Sequence, residues 1–311
     1  MNKLEEEYTA TDAKLLKHLD RLQEIRGGTF RPITLEVAPT NKCNLDCVFC
    51  SVRDRDKSQE LDFMDLQTAI GEFRKMGLKS LEITGGGEPS LYPEINHLIS
   101  INSHDLDVGM ISNGIGLEAR VSKEALNDLT WLRVSMNGLD YGFKPDLPKI
   151  RGTLGLSYVW NQFSNSNMMA KILMYKKESN AEYVRIVPDC LSVLAQEEFR
   201  ETIAPKIEKM YGKHGFFAQS KPYSVPDRCW WGYLKPFLNA DGYIYRCSAN
   251  PLLNRKFGEE FRMGRMEDVK KIWADIKPFD TKYCETGKCF FKPQNDLVEA
   301  VMGKGKHEKF I

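Results

Sequence analysis

The chain reads as an α/β protein: a partial six-unit barrel of parallel strands with a smaller unit appended. Three observations carry that reading. Strand-like and helix-like stretches alternate between residues 33 and 211; the turns that follow the strands collect glycine, serine, asparagine and cysteine; and after about Gly215 the alternation stops and four of the eight cysteines follow. A length of 311 residues suits one large α/β domain with a small appendage, and 42% hydrophobic residues suffice for a sizeable core.

Apolar residues at 13, 15, 16, 19, 22 and 25 repeat at helical spacing over Thr11 to Arg26, and Gly27-Gly28 ends the run. Ile33 to Ala38 is the first strand and delivers a cysteine-rich loop. Asp62 opens a helix to about Met76, stopped by Gly77. Ser80 to Thr84 is the second strand, followed by Gly85-Gly86-Gly87-Glu88-Pro89. A helix near Glu94 to Ile101 leads to the third strand, Asp107 to Ser112. Lys123 to Leu129 is a short helix, Leu132 to Met136 the fourth strand, and 139–153, with Pro145 and Pro148, is irregular. Leu154 to Trp160 is the fifth strand, Ser166 to Lys177 a helix, Tyr183 to Val187 the sixth strand, and Gln196 to Tyr211 a closing amphipathic helix.

Such units imply parallel strands with right-handed crossovers, and ligands gathering at the strands' carboxyl ends. The cysteine loop, the triple glycine, Asn113, Ser135 and Pro188 all fall there. The expected division is an N-terminal helical extension over 1–29, the barrel over 30–215 and a tail unit over 216–311, with a hairpin in the tail turning at Asp241-Gly242.

Lys+Arg 44 against Asp+Glu 43 leaves a net charge of +1, which gives no basic face for duplex nucleic acid. No run approaches the roughly 18 apolar residues of a membrane span, and the acidic start lacks a signal region. The expected location is the cytoplasm, where thiols stay reduced and cysteines read as metal ligands.

Cys43, Cys47 and Cys50 have the spacing C-x3-C-x2-C, with Phe49 before the third. Three thiolates on one short loop suffice for three irons of a [4Fe–4S] cube, leaving one iron open to a ligand. Zinc and disulfide readings compete, although structural zinc ordinarily takes four ligands. This segment resembles the signature of the radical S-adenosylmethionine (radical SAM) superfamily. Thr84, Gly85, Gly86, Gly87, Glu88 and Pro89 resemble the superfamily's element after the second strand, which holds the methionyl amino group of S-adenosylmethionine (SAM). Ser112-Asn113-Gly114 and Ser135-Met136-Asn137-Gly138 resemble its turns after strands three and four, the latter meeting ribose hydroxyls, with Asn137 in place of the usual aspartate. Arg185, Val187 and Pro188 resemble the sixth-strand segment along which the adenosyl group lies.

Cys229, Gly242 and Cys247 resemble the opening of the SPASM extension, and with Cys284 and Cys289 suit its shorter "twitch" form. The resemblance implies a second [4Fe–4S] cluster on these four cysteines; a four-cysteine zinc site is the rival. It further implies an external one-electron donor of flavodoxin or ferredoxin type, and reductive cleavage of SAM to a 5′-deoxyadenosyl radical that takes hydrogen from a substrate. Cys190 is a candidate hydrogen-atom donor, or else a small buried hydrophobe; Glu36 is a candidate substrate contact or a satisfied carboxylate. Trp230, Trp231 and Tyr233 are expected to pack the tail onto the barrel, and 304–309 to form a solvated end. Only 42 residues precede Cys43, too few for the folded leader-binding domain of many peptide maturases. The expected substrate is therefore a small polar metabolite, with oxidation, epimerisation, rearrangement or lysis as the reaction; a peptide- or protein-modifying maturase is the alternative.

Overall fold

Alternation of side-chain character along the strands sets the architecture. The structure, a computed structural model, describes residues 3–220, 224–248, 255–282, 284, 289 and 291–303. Seven strands, β1 (Thr34–Val37), β2 (Ser80–Ile83), β3 (Asp107–Ser112), β4 (Trp131–Ser135), β5 (Thr153–Trp160), β6 (Tyr183–Pro188) and β7 (Phe216–Ala218), lie side by side in chain order, all parallel. One face of each is apolar: Leu35 and Val37 of β1, Leu81 and Ile83 of β2, and Val184 and Ile186 of β6 are buried in one continuous core. The helices α4 (Phe63–Lys75), α5 (Ile95–Asn102), α6 (Leu117–Arg120), α7 (Lys123–Asp128), α8 (Ser166–Ser179) and α10 (Ala204–Tyr211) put side chains into that core. The opposite face mixes polar and apolar side chains and encloses a lumen.

Asp62 caps α4 as its residue type requires, accepting from Met64 N at 2.8 Å and Asp65 N at 3.1 Å. Two helices depart from the sequence reading. The single helix expected over Thr11 to Arg26 is two, α2 (Asp12–Leu15) and α3 (Leu19–Arg26), with α1 (Lys3–Tyr8) ahead of them. Thr11 Oγ1 caps α2 by accepting from Lys14 N at 3.4 Å, and His18, at φ −102 and ψ 61, leaves helical geometry between α2 and α3. The helix expected over Gln196 to Tyr211 starts earlier, at α9 (Val193–Glu198), where Ser192 Oγ accepts from Ala195 N at 3.1 Å. It widens to a π turn at Phe199–Ile203, just ahead of Pro205, which has no amide hydrogen to give to the preceding turn.

Residues 216–218, which the sequence reading assigns to the tail, form β7 and complete the parallel sheet beside β6. The tail supplies β8 (Arg228–Cys229), β9 (Phe237–Leu238), β10 (Tyr243–Tyr245), β11 (Arg262–Arg265) and β12 (Phe279–Asp280). β9 joins β1 in parallel, and β10 and β11 follow antiparallel, so the hairpin expected at Asp241-Gly242 widens the sheet to ten strands. β8 pairs with β12 apart from that sheet. Trp230, Trp231 and Tyr233 share a second core with Leu15, Ile25, Phe30 and Val298, the Phe30 and Trp230 rings stacking at 5.1 Å. The aromatic tract thus packs the tail against the N-terminal helices. The expected solvated end at 304–309 lies outside the described residues.

Candidate active site

The loop after β1 is clamped by the turn after β2. Gly87 N donates to Thr40 O at 3.0 Å and Glu88 N to Lys42 O at 2.7 Å. A Cβ on Gly87 would stand 1.9 Å from Lys42 O, so only glycine admits this approach. Arg55 Nε donates to Asn41 O at 2.7 Å, and its Nη1 reaches Val52 O at 2.9 Å and Cys50 Sγ at 3.7 Å. Val48 N donates to Tyr141 Oη at 2.9 Å, tying the loop to the turn after β4. Cys43, Cys47 and Cys50 are half-buried. Burial pushes the Cys47 thiol up to about 12, with Cys50 and Cys43 adding to it, and burial also raises Cys43.

Two adjoining cavities open from this loop, of about 1000 Å³ and about 190 Å³. Every residue expected to contact a cofactor lines one or both. Thr84, Pro89, Ser112, Asn113, Ser135 and Asn137 border the smaller; Gly86, Arg185 and Val187 border the larger, as does Cys190; Phe49, Gly85 and Gly87 border both; Glu88 borders the smaller. Two of these side chains are occupied differently from the expectation. Glu88 is buried and accepts from Ser90 N at 3.0 Å, Ser112 Oγ at 2.7 Å and Asn113 N at 2.6 Å. Its carboxylate therefore joins the turns after β2 and β3. Asn137 donates to Asp140 Oδ2 at 2.9 Å and Val159 O at 3.0 Å and accepts from Val159 N at 2.8 Å, which fastens the end of β4 to β5. Asn113 Nδ2 reaches Cys43 Sγ at 4.0 Å.

Below this level the lumen is charged, which sequence reasoning largely missed. Glu36 of β1 and Glu82 of β2 are paired in register, and Lys235, arriving from the tail, lies 3.6 Å from Glu36 and 2.7 Å from Glu82. Burial raises Glu36, and neighbouring Glu82 reinforces the rise against the pull of Lys235. Burial works on Glu82 in the same sense, but Lys235, Arg133 and Arg185 outweigh it and hold this carboxyl below its ordinary value. Arg133 of β4 and Arg185 of β6 line the same cavity within electrostatic reach of each other and of Glu82, Arg185 donating through Nε to Gln219 Oε1 at 2.7 Å. The available signal was charge in mid-strand: Glu36, Glu82, Arg133 and Arg185 each interrupt an otherwise apolar run. Lys235 carried none, because only the tail's path brings it here.

In the tail, Cys229, Cys284 and Cys289 lie within electrostatic reach of one another, and all are half-buried, as is Cys247. Burial pushes Cys229 up to about 11 and Cys289 up to about 12. Among the described residues, no three of His, Cys, Asp and Glu converge closely enough to hold a single metal ion. No described helix is long and apolar enough to cross a membrane.

Residues 37–152, which contain the cysteine loop and the turns after β2, β3 and β4, match the Radical SAM superfamily. Those residues form a radical SAM domain. Among curated relatives, a GTP 3′,8-cyclase of Chlorobaculum tepidum is 28% identical over 110 residues, 34% of this chain and 33% of that enzyme. The radical SAM chain thus spans about a third of that relative's length. The sporulation killing factor maturation protein SkfB of Bacillus subtilis is 24% identical over 298 residues, 81% of this chain and 70% of SkfB. Streptococcus suis SuiB, solved bound to its precursor peptide SuiA, has the same fold, with a TM-score of 0.61 at 16% identity, covering 85% of this chain and 69% of that one.

Such a domain implies a [4Fe–4S] cluster and SAM. The residues present fit the cluster: three thiols on one clamped loop, in a setting where burial disfavours bare thiolates and bound iron would offset that cost, with Arg55 poised as a donor to sulfur.

Proposed function

We propose that this radical SAM enzyme is a maturase that modifies a peptide or protein. The observation that carries the reading is the reach of the SkfB likeness, 81% of this chain against the 34% matched by the GTP cyclase. Only the former extends over the tail as well as the barrel. This reading takes the place of the small polar metabolite, whose preference rested on the short segment before Cys43.

Cys43, Cys47 and Cys50 would hold the cluster, and Cys229, Cys247, Cys284 and Cys289 a second one. Bound SAM supplies a carbon radical that abstracts hydrogen. The protein's part is positional. Gly85 to Gly87 bring backbone close to the cofactor, the Glu88 clamp fixes that turn against Ser112 and Asn113, and Phe49, Ser135, Asn137 and Val187 wall the cofactor space. Cys190, on the rim after β6, faces the same cavity and stands as a candidate hydrogen donor.

Anaerobically reconstituted protein with dithionite and SAM should release 5′-deoxyadenosine and change the mass of a short peptide encoded beside its gene. Turnover of nucleosides or sugars, with every such peptide left unchanged, would overturn the reading.

A further inference from the structure

The lumen holds two arginines with no carboxylate in ion-pair contact among the described residues, Glu82 acting on both only at longer range. Glu36 and Glu82 both lean on Lys235, whereas neither Arg133 nor Arg185 makes an ion pair among the described residues. Arg133 is 8% exposed and lines the large cavity, and its guanidinium has no hydrogen-bond partner among the described residues. It lies over Trp131, whose ring centroid is 5.4 Å from Cζ. Arg185 spends Nε on Gln219 and leaves its two terminal nitrogens to the cavity. Both side chains are thus held in place, and both present donors to the same space.

Burying two guanidiniums together is costly, since each resists deprotonation and neither has a carboxylate in direct contact. The strain is visible in Arg185, which burial, reinforced by Arg133, pulls down to about 9. An anion with two acceptor oxygens removes that cost, and paired arginine forks fit a carboxylate in geometry as well as charge.

The place of each arginine along its strand gives the anion its place. Arg133 lies two residues before Ser135 on β4 and Arg185 two before Val187 on β6, each about 7 Å along its strand, at roughly 3.3 Å per residue, from a residue expected to meet the cofactor. The cofactor's own amino-acid end is expected across the sheet, at the glycines after β2. We propose that Arg133 and Arg185 form a carboxylate-binding subsite that anchors an acidic side chain of the peptide substrate in the lumen beneath the cofactor. This rests on the maturase reading, and supplies its specificity.

The test uses the full-length, reconstituted protein with SAM, titrated anaerobically with the blocked peptide acetyl-Gly-Gly-Glu-Gly-Gly-amide, its Gln analogue, and free glutarate. The Glu peptide should bind at least about tenfold more tightly than the Gln peptide. Arg133→Gln should erase that difference while SAM affinity stays within about twofold, and Arg133→Lys should restore part of it. Equal binding of the two peptides by the parent protein overturns the proposal, and needs no variant to fold. So does an Arg133→Gln protein that loses SAM affinity but keeps the Glu preference, because the carboxylate served is then the cofactor's. Glutarate binding that depends on Arg133, with no peptide bound, upholds the subsite and overturns the maturase reading.

Discussion

Glu88 shows how much one side chain carries. Its two oxygens take three donors from Ser90, Ser112 and Asn113, so a buried charge is fully met while two turns are joined. Glu88→Gln keeps the volume but sets an amide donor against a backbone or hydroxyl donor, at a cost of about 1–3 kcal/mol. Its expected result is about a tenfold loss of SAM affinity with bound iron unchanged, read by equilibrium binding and iron analysis. Lys235 is the complementary case. Lys235→Met strands Glu36 and Glu82 without their cation and should cost about 3–5 kcal/mol near neutral pH. In the parent, Glu82 sits below its ordinary value, so its contribution is present above the unfolded carboxylate value of about 4.3 and fades as pH falls through the folded one. In the variant both carboxyls would titrate upward, as Glu36 already does, and protonation would then relieve them. The variant's deficit should therefore shrink at pH 5 relative to pH 8; denaturant titrations that find it constant would show the pair to be unburdened.

Strands β3 and β5 are shaped by what lies across them. A Cβ at Gly109 would stand 2.0 Å from the Trp131 ring, and one at Gly155 would stand 2.1 Å from the Tyr183 ring, so each glycine is a slot for the neighbouring strand's aromatic. Gly109→Ala should lower stability by about 1–3 kcal/mol through overcrowding, and adding Trp131→Leu should recover much of it in thermal unfolding. This element-level logic also explains what could be read in advance. The strands and α4 were legible because period-two alternation and the Asp62 cap are local signals. The break at His18 and the π turn before Pro205 were not, because the apolar period runs through both. Alternation likewise told which strand faces are polar, yet not that Glu82 and Arg133 are enclosed rather than bathed in solvent.

At the scale of the whole molecule, the spacing of Cys43, Cys47 and Cys50 was enough to mark the cysteine loop, whereas the four tail cysteines, far apart in the chain, were grouped only through a family resemblance. Cys229 stands opposite Phe279 in the β8–β12 pair, and Cys284 and Cys289, distant in sequence, lie within its electrostatic reach. If they hold a second cluster, the reconstituted protein should carry about eight irons, and Cys284→Ala should lose about four of them while SAM cleavage chemistry at the first cluster persists. Iron holding at four in the parent, with zinc present, would reassign the tail. The placement of β9 has a further consequence. By lying alongside β1, it covers the hydrogen-bonding rim of the strand that launches the cysteine loop. A protein whose tail has come loose would bare that rim, and its first symptom should be clumping of one copy onto another rather than a quiet shedding of iron.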